Sequence, residues 1–264
     1  RLAFGRDDGF AEIWDTFGEQ IATIKVGENE LVQGHSYSPV RWLAWSPNGN
    51  SLAITDSNSL KFWNSDGTPR SVIELSRTGD RKCAWDPTSD RVAVTGDVTT
   101  IWSLNGDRGP QLGGSRGVDS SVDWSPSGKL LVTGSRDRTV RLWADDGAPQ
   151  AVLLEHDAGV ASVDWSPTGD LIASGAADST FIVWDAQTSQ PLWVGVKLGT
   201  GDSATFSAAG QVLDGDPDVL EEHFVYLVEN EDGQQQLLKP SEFQKRIRSK
   251  TTTLDSDPVH NVAQ

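Results

Sequence analysis

Few side chains in this chain are placed to do chemistry. Histidine stands at 35, 156, 223 and 260, and the single cysteine is Cys83. None of these has metal-ligand spacing with another or with a carboxylate, so no metal site is expected. No Gly-Lys-Ser phosphate loop and no dinucleotide fingerprint occurs, so no cofactor is expected either. Acidic residues number 38 against 22 Lys and Arg, a net charge of −16. That balance argues against nonspecific nucleic-acid binding and against docking on anionic membranes, since both need positive charge. No window has the apolar length of a membrane span, and no signal segment opens the chain. One cysteine rules out an intrachain disulfide and fits a reducing, cytoplasmic setting. Cys83 lies two residues before a tryptophan, at a position filled by Val122 and Val163 elsewhere, and is expected in a core.

The elements that could position any site come from a repeat. Trp-Ser-Pro-x-Gly occurs at 45–49, 124–128 and 165–169, with a weaker Trp85-Asp86-Pro87 between the first two. These first tryptophans are spaced by 40, 39 and 41 residues. A second series, Trp14, Trp63, Trp102, Trp143 and Trp184, is spaced by 49, 39, 41 and 41. A sustained period near 40 marks a propeller or solenoid array. Within one unit, Ala161–Trp165, Leu171–Ser174, Phe181–Trp184 and Gln190–Val194 have strand character, separated by turn clusters. Four strands in about 40 residues leave no room for a helix. Each unit is therefore a four-stranded antiparallel sheet that buries its faces against its neighbours, as propeller blades do.

With these motifs the chain resembles the WD40 repeat family over residues 1–215. Periplasmic TolB-like propellers share the Trp-Ser-Pro turn, but here the third strand ends in Trp five times, which favours WD40. The fold class expected is all-β, a WD40-type β-propeller with about six visible blade units, the first incomplete, and a short C-terminal helix and tail. The expected divisions are 1–34 (partial blade), 35–75, 76–114, 115–155 and 156–198 (blades), 199–240 (degenerate terminal blade) and 241–264 (helix and flexible tail). Residues 204–213 are expected to form two strands around a turn. Asp214 to Glu222 is expected as an acidic insert, and His223–Glu229 and Gln234–Leu238 as a hairpin. Ser241-Glu242-Phe243-Gln244 carries a capping-box pattern, which predicts a short helix through about Arg248. The chain has no methionine, and its first residues align with Leu130 to Arg138; both predict a start inside a blade of a longer protein. The terminal unit resembles the end of WD-repeat arrays in large bacterial signalling proteins.

The resemblance implies a buried network of His, Ser or Thr, Asp and Trp in well-formed blades. His156, Ser174, Asp178 and Trp184 match it in full in the fifth blade, and Thr133, Asp137 and Trp143 match it in the fourth, where Ser115 replaces the histidine. The Ser-His-Asp set imitates a catalytic triad. Its serine, however, is expected inside a strand and lacks a nucleophile turn, so the set is expected to be structural. No catalytic residue is assigned. By the same resemblance, a partner would bind the face carrying Tyr37, Arg41, Arg81, Arg116 and Arg136, as an acidic peptide or another domain. The function expected is a non-catalytic interaction or sensor scaffold, the C-terminal WD40 module of a larger bacterial signalling or effector protein. The alternative is a propeller enzyme with a site in its central channel.

Overall fold

The computed structural model describes residues 1–26, 39–56, 58–75, 81–198, 201–209, 211–224, 226–229, 235–242 and 245. The chain divides into two compact units, residues 1–194 and 195–264, and each is described by itself.

The first unit is a series of antiparallel sheets. The first has three strands, β1 (Leu2–Gly5), β2 (Phe10–Trp14) and β3 (Gln20–Lys25), in that order. Next come β4 (Trp42–Trp45), β5 (Ser51–Thr55), β6 (Ser59–Asn64) and β7 (Pro69–Glu74). The third sheet is β8 (Cys83–Trp85), β9 (Arg91–Val94), β10 (Thr99–Ser103) and β11 (Arg108–Leu112). The fourth is β12 (Asp119–Trp124), β13 (Leu130–Ser135), β14 (Val140–Ala144) and β15 (Pro149–Leu153). The last follows the same order with β16 (Val160–Trp165), β17 (Leu171–Ala176), β18 (Thr180–Asp185) and β19 (Pro191–Lys197).

The Trp-Ser-Pro-x-Gly motif makes the first turn of the second, fourth and fifth sheets. Ser46, Ser125 and Ser166 accept on Oγ from the backbone N–H five residues on, at 2.9, 3.0 and 3.0 Å. Proline's ring fixes its own φ for the turn, and glycine takes the left-handed backbone that closes it, at φ of +70°, +69° and +80° for Gly49, Gly128 and Gly169. The third sheet has no such glycine, and Ser89 adopts φ +68° in its place.

The core lies between successive sheets. Leu60, Phe62 and Ile73 of the second sheet pack with Cys83, Trp85 and Val92 of the third. Ala93 and Ile101 then meet Trp124 and Leu131 of the fourth, and Val140 and Leu142 meet Trp165 and Ile172 of the fifth. Fully burying one such side chain contributes roughly 1.5–3 kcal/mol, so each sheet depends on its neighbour. The first tryptophans also tie sheets together: the Trp85 indole donates to Ala44 O at 2.9 Å and that of Trp124 to Ala84 O at 3.2 Å. Cys83 is buried, as expected of a core thiol, and burial pushes its pKa up to about 12.

In the second unit, β20 (Ser203–Ser207) pairs with β21 (Val212–Asp214). The segment expected as an acidic insert and strand start holds instead a helix, α1 (Pro217–His223). The Asp216 carboxylate accepts from the N–H groups of Asp218 and Val219, and Pro217 opens the first turn. Aspartate as N-cap before proline is a helix start in its own right, and it outweighs the strand character of the residues after it. The strand expected from His223 therefore begins later, as β22 (Tyr226–Glu229), and pairs with β23 (Gln235–Leu238). The capping interaction expected at Ser241 is shifted: Glu242 accepts from the Lys239 N–H at 2.9 Å, while Ser241 bonds to Glu221. Most of the expected terminal helix and the tail lie outside the described residues.

Candidate functional site

Two polar networks occupy the sites where chemistry was conceivable. In the fifth sheet, His156 Nε2 is 2.8 Å from Ser174 Oγ, and its Nδ1 is 3.2 Å from Asp178 Oδ2 and 3.0 Å from Thr180 Oγ1. Trp184 Nε1 donates to Ser174 Oγ at 2.8 Å. All polar atoms are satisfied when Ser174 donates to Nε2 and Nδ1–H donates to Asp178. That connectivity is the one a serine hydrolase uses. Here, however, Ser174 is 2% exposed, its oxygen is taken by the tryptophan, and it sits inside β17. Asp178 also accepts the N–H groups of Asp157 and Thr180, which pins the loop before β16 to the turn before β18. Thr180 is the network member that the sequence reading missed.

The fourth sheet solves the same problem without histidine. Trp143 Nε1 donates to Thr133 Oγ1 at 2.9 Å. Arg141 takes the histidine's place beside the aspartate: its guanidinium reaches Asp137 Oδ2 at 3.0 Å, Thr139 Oγ1 at 2.5 Å and Ser115 Oγ at 3.2 Å, and Ser115 donates on to Asp119. In the second sheet Lys61, at the same register, lies 3.6 Å from Asp56 Oδ2. In the second and third sheets Ile54 and Val94 replace the hydroxyl of Thr133 and Ser174. The indole N–H groups of Trp63 and Trp102 are accordingly buried without an acceptor among the described residues.

Burial alone pushes the carboxyls of Asp178 and Asp137 up, but their hydrogen bonds outweigh it. Thr180, Asp157 and His156 hold Asp178 down at about 2, and Thr139, Arg116 and Arg141 hold Asp137 down at about 2. A carboxyl lowered from 3.8 adds stability that is complete above pH 4 and is lost as pH falls from about 4 to 2. For these two, each 11% exposed, it amounts to roughly 2 kcal/mol apiece. Asp119, pushed up by burial, offsets part of the loss. The urea midpoint is therefore expected to drop steeply below pH 4, and Asp178→Asn to start lower and show a shallower drop.

The expected partner face is only partly assembled. Arg41, Arg116 and Arg136 are exposed. Tyr37 lies outside the described residues. Arg81, expected to be exposed, is 5% exposed, and its guanidinium turns back to Thr95 O at 3.3 Å. A side chain long enough to reach solvent folds inward here because the turn after β9 presents a carbonyl and the carboxylate of Asp97. Lys82, which the sequence did not single out, stands beside it. Its ammonium donates to Ala161 O at 3.1 Å, 79 residues on, and lies 5.9 Å over the Trp42 ring. Arg41, Trp42 and Lys82 line a cleft of about 640 Å³. A second cleft of about 420 Å³ brings Lys82, Ser121, Asp123 and Asp164 together, a convergence of polar groups that the sequence did not display. Asp123 is engaged there, accepting the backbone N–H of Trp165 at 2.8 Å. Among the described residues, no group of three His, Cys, Asp or Glu side chains could hold a metal ion.

Known proteins share these repeats. The family model for WD40, "WD domain, G-beta repeat", matches residues 27–64, 110–144 and 147–185. The chain is 35% identical over 92 residues to the human F-box-like/WD repeat-containing protein TBL1X, covering 28% of this chain and 16% of that protein. It is 29% identical over 117 residues to the Arabidopsis thaliana transcriptional corepressor LEUNIG_HOMOLOG, covering 43% of this chain and 15% of the relative. Over 77 residues it is 35% identical to eukaryotic translation initiation factor 3 subunit I of Aspergillus niger, covering 29% and 21%. The chain thus spans less than a quarter of each relative's length. Three segments match, and the Trp-Ser-Pro turns and the His–Ser–Asp–Trp network lie on four-stranded sheets, so the chain carries WD40-type repeats.

Proposed function

We propose that the chain is a non-catalytic scaffold for protein–protein contacts. The observation that supports this most is the engagement of the Ser174–His156–Asp178 set, whose groups all point at one another and at Trp184 rather than at a cleft. The relatives carry names of the same kind, a corepressor and a subunit of an initiation factor. The partner is an acidic peptide or domain, which meets Arg41, Arg116 and Arg136, with Lys82 at the cleft. Exposed arginines in a strongly acidic chain make a focused positive surface suited to carboxylates. We place the chain in the cytoplasm, as a module of a larger bacterial signalling protein. The second cleft, with Lys82, Asp123 and Asp164, is what favours the alternative of an enzyme site in the channel. Against it, the Lys82 ammonium and the Asp123 carboxylate are already bonded to the framework.

The test is retention of an array of acidic peptides, with basic peptides as control, by the chain and by its Arg41→Glu/Arg136→Glu variant. Loss of about tenfold or more in affinity on charge reversal is expected. Equal retention by both proteins would sink this reading of the face.

A further inference from the structure

Arg116, Arg136 and Arg138 stand on two adjoining loops of the fourth sheet, one before β12 and one between β13 and β14. The backbone ties these loops together. The Arg116 N–H donates to Asp137 Oδ2 at 2.8 Å, and the Arg136 N–H to Val118 O at 3.0 Å. Arg138 follows at φ +77°, with its N–H on Ser135 O at 3.2 Å. A Cβ on Gly117 would lie 2.9 Å from the Asp137 nitrogen, so the first loop packs directly on the turn. The third and fifth sheets pack against the fourth on either side, and this surface is bounded by them.

The fifth sheet builds the same frame without arginine. There the Asp157 N–H donates to Asp178 Oδ2 at 2.9 Å, the Ala177 N–H donates to Gly159 O at 3.0 Å, and Ser179 adopts φ +66°. Asp157, Ala177 and Ser179 thus hold the places of Arg116, Arg136 and Arg138, and the fold requires a guanidinium at none of them. All three arginines are exposed, and none makes an ion pair or a side-chain hydrogen bond among the described residues. Other arginines of this acidic chain are engaged: Arg6 by Asp8 and Glu12, Arg91 by Asp86 and Asp145, and Arg141 by Asp137. Asp137, which lies between Arg136 and Arg138 in the chain, is already bonded to Arg141, Thr139 and the Arg116 N–H. Three like charges are therefore held on a fixed frame, where they repel one another until an anion joins them.

We infer that Arg116, Arg136 and Arg138 form a subsite for one phosphorylated serine or threonine of a partner peptide. The inference rests on the scaffold reading above and narrows its acidic partner. A carboxylate carries one charge and two oxygens, which a single guanidinium fork satisfies. A phosphomonoester carries about −1.5 to −2 charges at neutral pH and three acceptor oxygens, enough to engage several forks at once. The arginines stand on open loops and line neither of the two clefts around Lys82. A free phosphate compound would find no walls there, whereas a peptide adds contacts of its own along the face, at Arg41 and Lys82. Because the two loops are already fixed by their backbone bonds, little ordering is needed when the phosphate arrives.

The experiment uses the whole chain and the array of acidic peptides, each made in three forms with serine, phosphoserine or glutamate at its centre. The phosphoserine forms are expected to bind about tenfold more tightly than the glutamate forms. Arg138→Ser, which installs the fifth sheet's own residue, is expected to remove most of that preference with an unchanged circular dichroism spectrum. Inorganic phosphate at the peptide's concentration is expected not to displace it. Equal binding of phosphoserine and glutamate forms, both weakened by Arg41→Glu/Arg136→Glu, would overturn this inference and leave the scaffold reading standing. Retention of no form at all would remove both. A phosphoserine preference that survives Arg138→Ser combined with Arg116→Asp would place the phosphate elsewhere and overturn the subsite. Displacement by equimolar inorganic phosphate would overturn the peptide as its occupant.

Discussion

Replacing Arg91 by leucine is expected to destabilise the chain by about 3 kcal/mol, with a second change, Asp86→Ser, returning most of the loss. Asp86 is fully buried and stands where the other sheets have Ser46, Ser125 and Ser166. Arg91 Nε donates to its carboxylate at 2.7 Å. The same guanidinium reaches Asp145 Oδ2 of the next sheet at 3.3 Å and lies 4.8 Å over the Trp124 ring. One side chain thus neutralises a buried charge and joins two sheets. Removing one partner of a buried ion pair costs about 3–5 kcal/mol, because the other charge is left behind. The lower end applies because Arg91 is 32% exposed. Serine at 86 would carry no charge and would accept the backbone N–H of residue 91, as Ser125 accepts that of Leu130. The pH dependence adds a check. Burial raises the Asp86 carboxyl and the bonds from Arg91 help to hold it below its usual range, so removing Arg91 shifts its folded pKa upward. The destabilisation is then fully present at neutral pH and shrinks as the carboxyl protonates on acidification. Urea unfolding of the three variants at pH 7 and about pH 4 measures this. A loss under 1 kcal/mol, or one independent of pH, would show that the clamp carries little.

The second large effect concerns Trp184, which is 1% exposed and packs with Val163, Trp165 and Ile172. Trp184→Ala is expected to cost about 4 kcal/mol from lost burial and the cavity left behind. More informative is Trp184→Phe, which keeps most of the ring but removes the donor to Ser174. Its expected cost is about 2 kcal/mol, since a well-buried bond and some packing are lost together. Trp63→Phe in the second sheet serves as the internal control. The Trp63 indole N–H is already buried without an acceptor among the described residues, so its removal relieves an unsatisfied donor, and a change near zero is expected. If both substitutions cost the same in chemical denaturation, the Ser174–Trp184 bond contributes nothing beyond ring volume.

Much of this molecule follows from local pattern. The spacing of the tryptophans located every sheet of the first unit. The alternation within each repeat placed β16 to β18 to within two residues of where they lie, because strand, turn and strand are each specified by residues within ten positions of one another. The His156–Ser174–Asp178–Trp184 network was legible for the same reason, since its members recur at fixed offsets along the repeat. The helix α1 was also locally encoded, by Asp216 and Pro217, and was missed because the surrounding residues resemble strands.

Other features depend on how sheets stack, and no local pattern reports that. Arg141 and Lys61 stand on β14 and β6, where their neighbours along the chain give no sign that they take the histidine's place. Arg81 looks exposed by alignment, yet turns inward because a carbonyl fourteen residues away is within its reach. Lys82 finds its acceptor 79 residues on. The sequence by itself determined the repeat, the strands and the bonded network, because those interactions are local and periodic. Tertiary structure decided which charges are buried and which clefts form, because those depend on groups that only the packing of one sheet on the next brings together.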